Sequence, residues 1–266
     1  MYRFSIKAGA FAIIFPVPPS PTKSLIMPDT KSYPLEKCPV SGHEYRAPQP
    51  GDSRSVCPAL NAMANHGYIP RDGKNLTIPT VISGLKACYG LSTGLAAFLT
   101  IGGFLWISKL FTINLYDIGR HGRVEHNASL VHADTPEGEE YAPTKIHEDW
   151  VEEVVGDIQP CALECRQESL VDAEDVARMR VRREKTSPVM DAVHAEVARG
   201  EMALILGIWE TKGVNKTGVP LPWLLDWLGK ERLPEGWAPT HQQTLTDTVA
   251  RSKSIRLWVE KLRSGQ

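Results

Sequence analysis

Cys57 heads the stretch Ser55-Val56-Cys57-Pro58-Ala59-Leu60-Asn61-Ala62-Met63-Ala64-Asn65-His66-Gly67, whose pattern predicts a short helix. Pro58 suits the first helical position, where its missing N–H costs nothing. Leu60 and the Met63-Ala64 pair give one apolar face, and Gly67 supplies a left-handed stop. Cys57 then lies beside unpaired amides at the positive end of the helix dipole. Both effects favour thiolate over thiol. A stabilised thiolate serves as a nucleophile or as a metal ligand.

The second reactive group lies far along the chain. Met190, Val193, Val197, Leu204 and Ile208 mark the apolar seam of a helix expected over about 187–209, and Glu201 falls on that seam. His194, seven residues earlier, shares the face. A carboxylate in an apolar stripe has a raised pKa unless it is paired. It is then either a proton shuttle or a buried Glu bonded to an Arg or a backbone end. Gly200 beside it removes bulk where another group has to approach. Between the two sites runs a polar, histidine-rich stretch carrying Asp117, Arg120, His121, Arg123, Glu125, His126, Asn127, Ser129 and His132.

Two chemistries suit the thiolate. A Cys–His nucleophile would draw on His66 locally, but nine residues are two and a half helical turns and place it on the opposite side. A single Cys with no second Cys nearby suits an axial haem ligand, whose thiolate pushes electron density onto iron. Such a site needs a proton shuttle across the haem, and Glu201 has that character. Spacing alone leaves both open.

The elements that must position these groups read as helices. Thr77 and Pro79 open a helix with Ile78, Ile82, Leu85 and Tyr89 on one face, ended by Gly90. Leu91–Ile107 carries no charge, is short of the about 20 residues a membrane span needs, and is broken by Gly94, Gly102 and Gly103. It reads as a helix buried on all sides, with glycines that admit another helix or a flat cofactor. Short helices follow at Trp150–Asp157 and from Asp172 to about Lys185. The basic run Arg178–Arg183 reads as the solvated face of the latter. An apolar helix over Pro222–Leu228 and an amphipathic one over Thr244–Leu262 complete the chain. Strand patterns are scarce, and the fold class is all-α.

With 266 residues, 42% of them hydrophobic, the chain can bury a substantial core. A net charge of −1 with dispersed Lys and Arg argues against nucleic acid. Five cysteines without regular spacing argue against a disulfide framework, and the lack of a CxxC pair argues against structural zinc. Cys38 and Cys88 read as ordinary thiols, and Cys161 and Cys165 are poorly placed for a bridge. Residues 1–30 form a tail or a weak signal-like segment: Arg3 and Lys7 precede the apolar run Ala8–Phe15, but Pro16, Pro18 and Pro19 follow at once. Secretion and an intracellular location both remain open. Residues 16–56 read as an extended arm.

The long motif from Cys57-Pro58-Ala59-Leu60-Asn61 through Ala64-Asn65-His66-Gly67-Tyr68-Ile69-Pro70-Arg71-Asp72-Gly73 resembles the proximal motif of the fungal haem-thiolate peroxidases, the chloroperoxidase and unspecific peroxygenase family. Glu125-His126-Asn127-Ala128-Ser129-Leu130 resembles that family's Glu-His-Asp-x-Ser metal motif. Arg199-Gly200-Glu201-Met202-Ala203-Leu204 resembles its distal Gly-Glu segment. The likeness runs over about residues 35–255, in the family's order and at the size of its short branch.

The resemblance implies a single helical domain over 31–262 around a buried haem b, with Cys57 as axial ligand. It implies hydrogen peroxide as oxidant, Glu201 as distal acid–base, and a ferryl oxidant acting on a small apolar organic substrate or on halide. A secondary-metabolite tailoring peroxidase of the same family and a non-enzymatic haem protein are the alternatives. His126 is the short branch's partner for the glutamate, while His194 holds the position of the long branch's Arg, and both imidazoles can tune Glu201. Val124 and Leu204 flank the distal motifs as walls of a substrate pocket. Mg²⁺ is implied at Glu125, the His126 carbonyl and Ser129, beside a haem propionate. No membrane span is expected, and the protein would be a monomer or dimer. Two departures stand out: Val56 replaces the usual Pro before the Cys, and Asn127 replaces the usual Asp. Of the glycosylation sequons, Asn127 would be blocked beside a haem, whereas Asn75 and Asn215 are usable.

Overall fold

Helix ends fall where side chains satisfy loose backbone groups. The computed structural model describes residues 42–158, 169–213 and 216–265, which belong to one unit. Eight α-helices carry the fold among these residues, as the all-α reading expects. Helix α1 (Pro58–Asn65) has Cys57 as its N-cap, and Gly67 at φ +72° turns the chain away beyond it. Helix α2 (Ile78–Tyr89) starts at Thr77, whose hydroxyl accepts from the Thr80 amide. It stops at Gly90, φ +67°, where an added Cβ would sit 2.6 Å from the His241 carbonyl oxygen. Only glycine meets both constraints.

Helix α3 (Thr93–Trp106) is not buried on all sides. Leu95, Ala96, Thr100 and Phe104 face inward against α2, but Phe98 and Leu105 are 60% and 59% exposed. Gly94, Gly102 and Gly103 border open space, so among the described residues no second helix closes on them. Uniform hydrophobicity hid the fact that, among the described residues, one face of the helix is covered and the other is exposed. No helix among the described residues is long and apolar enough to cross a membrane.

Strands are few and short: β1 (Leu76–Thr77) pairs antiparallel with β2 (Thr112–Ile113), and β3 (Leu170–Val171), β5 (Thr217–Pro220) and β4 (Thr211–Lys212) form a ladder with β5 central. A 3₁₀ helix at Leu115–Gly119 and α4 (Glu148–Gly156) lie between the two ladders in sequence. Helix α8 (Leu245–Ser264), opened by a Thr244/Asp247 capping box, packs along α5 (Ala173–Glu184) and α6 (Ala192–Ile208). Helix α7 (Leu221–Lys230) contacts α1 and α4. Trp209 meets Trp227, Trp237 and Trp223 edge-on in the core, at centroid distances of 5.7, 6.0 and 6.5 Å.

Two further expectations change. Helix α6 starts at Ala192 rather than near Ser187, because the Asp191 carboxylate accepts from the Val193 and His194 amides. The basic run on α5 is not a solvated face: Arg180 and Arg183 are 2% and 5% exposed. Cys88 is a buried free thiol, while Cys38, Cys161, Cys165, Asn215 and the N-terminal segment lie outside the described residues.

Candidate functional site

Cys57 is held from its backbone. Its amide donates to the Ser55 hydroxyl (3.1 Å), and its carbonyl accepts the Asn61 amide that begins α1 (3.1 Å). The sulfur makes no capping hydrogen bond, although the Leu60 and Ala59 amides favour its charged form. They do not win. Burial pushes the thiol up to about 12, the charge of Glu201 adds to the rise, and the amides only offset part of it. The helix end favours the anion as the sequence suggests, but without a bound cation desolvation outweighs it. The side chain nonetheless stays partly accessible.

Glu201, on α6, lies near enough to Cys57 for its charge to act on the thiol. It is not buried as its place on the seam suggested; its side chain is 49% exposed. The face of α6 that packs carries Ala198, Met202, Ile205 and Leu206, which leaves Val193 and Glu201 on the open side. Gly200 next to it borders open space. His126 Nε2 lies 3.3 Å from Glu201 Oε2, and its Nδ1 lies 2.7 Å from the Asn127 carbonyl oxygen. Carbonyl and carboxylate both only accept, so both contacts are satisfied when the ring is imidazolium. Burial works against that cation, but the hydrogen bond and charge of Glu201 outweigh it and raise the His126 pKa.

His194 is not brought to Glu201. Its Nδ1 meets Asp191 Oδ2 at 2.7 Å and its Nε2 meets the Arg123 carbonyl at 2.9 Å, with the ring tilted against Trp106. Val124 and Leu204 are half-buried against the core. Glu125 is buried with Oε2 2.7 Å from His121 Nδ1. The Ser129 hydroxyl accepts from the His132 and Val131 amides at 3.2 and 3.4 Å. Among the described residues, no group of three or more His, Cys, Asp or Glu converges as a metal cage.

Sequence reasoning missed the groups that brace this region. Arg180 Nη1 donates to the Ala128 carbonyl and Arg183 Nε to the Ser129 carbonyl, both at 2.7 Å. They clamp a turn whose Ala128 has φ +62°. A signal was present: Arg180 and Arg183 lie one turn beyond Val176 and Met179, on the buried face of α5.

The family model described as "Peroxidase, family 2" matches residues 43–242, which hold Cys57, His126 and Glu201 alike. The chain belongs to peroxidase family 2. This family-2 chain is 39% identical over 82 residues to the aromatic peroxidase fscJ of Fusarium equiseti, covering 30% of this chain and 18% of that protein. It is 32% identical over 102 residues to the chloroperoxidase of Leptoxyphium fumago, covering 35% and 27%. To the aromatic peroxygenase of Cyclocybe aegerita it is 34% identical over 82 residues, covering 31% and 22%. The alignments thus span under a third of the length of each of these relatives.

Proposed function

We propose that this family-2 chain is a haem-thiolate peroxidase or peroxygenase that uses hydrogen peroxide to oxidise small organic substrates. The observation that carries the reading is the 3.3 Å contact of His126 with Glu201, together with a partly accessible Cys57 at the head of α1 on which the charge of Glu201 acts. The residues fit a haem. Cys57 is a partly accessible residue, the Leu60 and Ala59 amides favour its anion, and Gly200 beside Glu201 borders open space. Coordination to a metal deprotonates a thiol outright, which removes the obstacle that burial sets up. Haem held there supplies the redox chemistry of peroxide reduction and substrate oxidation.

The chain's own part is binding and proton movement. Cys57 Sγ would hold the iron. The Glu201 carboxylate would accept one proton from hydrogen peroxide and hand it on to the oxygen that departs as water, while the two electrons for O–O cleavage and the acceptor for the second oxygen would come from the haem. His126 holds the Glu201 carboxylate in place through their 3.3 Å contact. Val124 and Leu204 offer apolar contact to a substrate. A Mg²⁺ ion beside the haem is a second part of this reading, supported by the buried Glu125 carboxylate. The present contacts do not form its cage: Glu125 would have to release His121, and the Ser129 hydroxyl would have to leave two amides. No step is derived through it.

The test is peroxide-dependent oxidation of an aromatic, an alkane and bromide by purified, haem-loaded protein. Turnover of at least one supports the reading, and haem binding with no turnover of any leaves a haem carrier instead.

A further inference from the structure

Behind Cys57 lies a buried polar chain that the peroxide chemistry does not use. Glu231 follows α7 as its left-handed C-cap, φ +51°, a conformation that costs a non-glycine residue energy. It is also a carboxylate only 9% exposed. A side chain that is disfavoured on both counts needs a compensating grip, and it has two. Asn61 Nδ2 donates to Glu231 Oε1 (2.5 Å), and Asn65 Nδ2 donates to the Glu231 carbonyl (3.2 Å).

The grip continues to the cysteine. Asn61 Nδ2 also donates to the Ser55 carbonyl (2.7 Å), while Asn61 Oδ1 accepts from the Ser55 amide (3.0 Å) and hydroxyl (3.3 Å). That same Ser55 hydroxyl accepts the Cys57 amide. All four hydrogen-bonding sites of Asn61 are filled, and Glu231 fills the one that Ser55 leaves. On the outer side, Arg54 Nη2 and Nε hold Asn65 Oδ1 at 2.8 and 3.1 Å. The path from the C-terminal end of α7 to Cys57 is short: carboxylate, amide, hydroxyl, cysteine amide.

We infer that Glu231 is a positioning residue for Cys57: through Asn61 and Ser55 it locks the Ser55-Val56-Cys57 turn, so that the sulfur is aimed before any haem arrives. The inference rests on the reading of Cys57 as the iron ligand for its functional meaning, but not for its geometry. It also gives Val56 a context. Where the family resemblance leads one to expect a stiff proline ahead of the cysteine, this chain holds the turn by side-chain hydrogen bonds on either side of position 56.

Two measurements on the full chain test it. In haem-free protein, the Cys57 thiol is labelled with dithiobis(nitrobenzoate), its share being the part lost in Cys57→Ala. Glu231→Ala should raise the Cys57 rate about tenfold, the effect of losing one buried hydrogen bond to a charged group. Glu231→Gln keeps an acceptor and should stay within about twofold of the unaltered chain. In haem-loaded protein, Glu231→Ala should replace part of the red-shifted band of the reduced CO complex, and Glu231→Gln should restore it. An unchanged labelling rate in a folded Glu231→Ala protein overturns the inference. If Glu231→Ala does not fold, Asn61→Ser opens the same link from α1, and an unaltered Cys57 rate there overturns it equally. A labelling response without a thiolate band in the unaltered protein keeps the positioning role and defeats the haem-ligand reading instead.

Discussion

His126 Nε2 stands 3.3 Å from Glu201 Oε2 across two separate elements, whereas His194, on Glu201's own helix, is turned to Asp191 and the Arg123 carbonyl. One imidazole is therefore coupled to the carboxylate and the other is tied into the wall. His126 is buried with a raised pKa, so the pair stabilises the fold fully below the ordinary histidine range. That contribution fades as pH rises through the raised value.

His126→Ala should lower peroxide turnover by about 10–100-fold, the usual loss when a partner orienting a reactive group is removed. His194→Ala should leave it within about threefold, since no contact links it to Glu201. Steady-state rates of the two haem-loaded variants at equal haem content decide it, and a reversed order would reassign the partner.

Glu201→Gln should leave haem content intact and cut turnover with peroxide by about 10²–10⁴-fold, the range of general acid–base catalysis. Stopped-flow mixing with peroxide reads the step directly, and full activity would remove its acid–base role.

His66 should make the protein sensitive to acid. Its Nε2 accepts the Leu233 amide (3.1 Å), its Nδ1 donates to the His43 carbonyl (2.8 Å), and burial lowers its pKa. The neutral ring is the one the fold wants. The unfolded chain binds this proton more readily, so the stability is present above the ordinary histidine range and is lost as pH falls through the lowered value. Protonation costs the Leu233 hydrogen bond, about 1 kcal/mol or 2–4 °C in Tm for a chain of this size. Melting curves at pH 7 and pH 5 should show that loss, and His66→Gln should shrink it; equal losses in both proteins would clear His66 of the effect.

Removing Mg²⁺ should loosen haem if Glu125 holds the ion. Dialysis against a chelator should then raise haem loss in the unaltered protein and have no added effect in Glu125→Gln. Indifference of both proteins to the chelator would discredit the ion, in line with the absence of a formed cage among the described residues.

The local signals in the sequence were reliable where one residue controls one backbone group. Pro58 and Gly67 bounded α1, and Thr77 and Gly90 bounded α2, because caps act over three or four residues. Readings of burial were weaker. The seam through Val193 and Glu201 is apolar but borders open space, and α3 is apolar all round yet covered on one side. Periodicity states which residues share a face, not what the face meets. Arg180, Arg183 and Glu231 went unseen for the opposite reason: charge suggests surface, while each is buried against partners more than 50 residues away in sequence. At Cys57 the dipole and amides that favour a thiolate were legible, whereas the desolvation that opposes them appears only with packing.

The central claim is that Cys57 is the axial ligand of a haem facing Glu201. The most direct measurement is the absorption spectrum of the reduced CO complex of purified, haem-loaded protein beside that of Cys57→Ala. The account predicts a red-shifted Soret band in the unaltered protein and its loss in the variant. An identical band in both would contradict it.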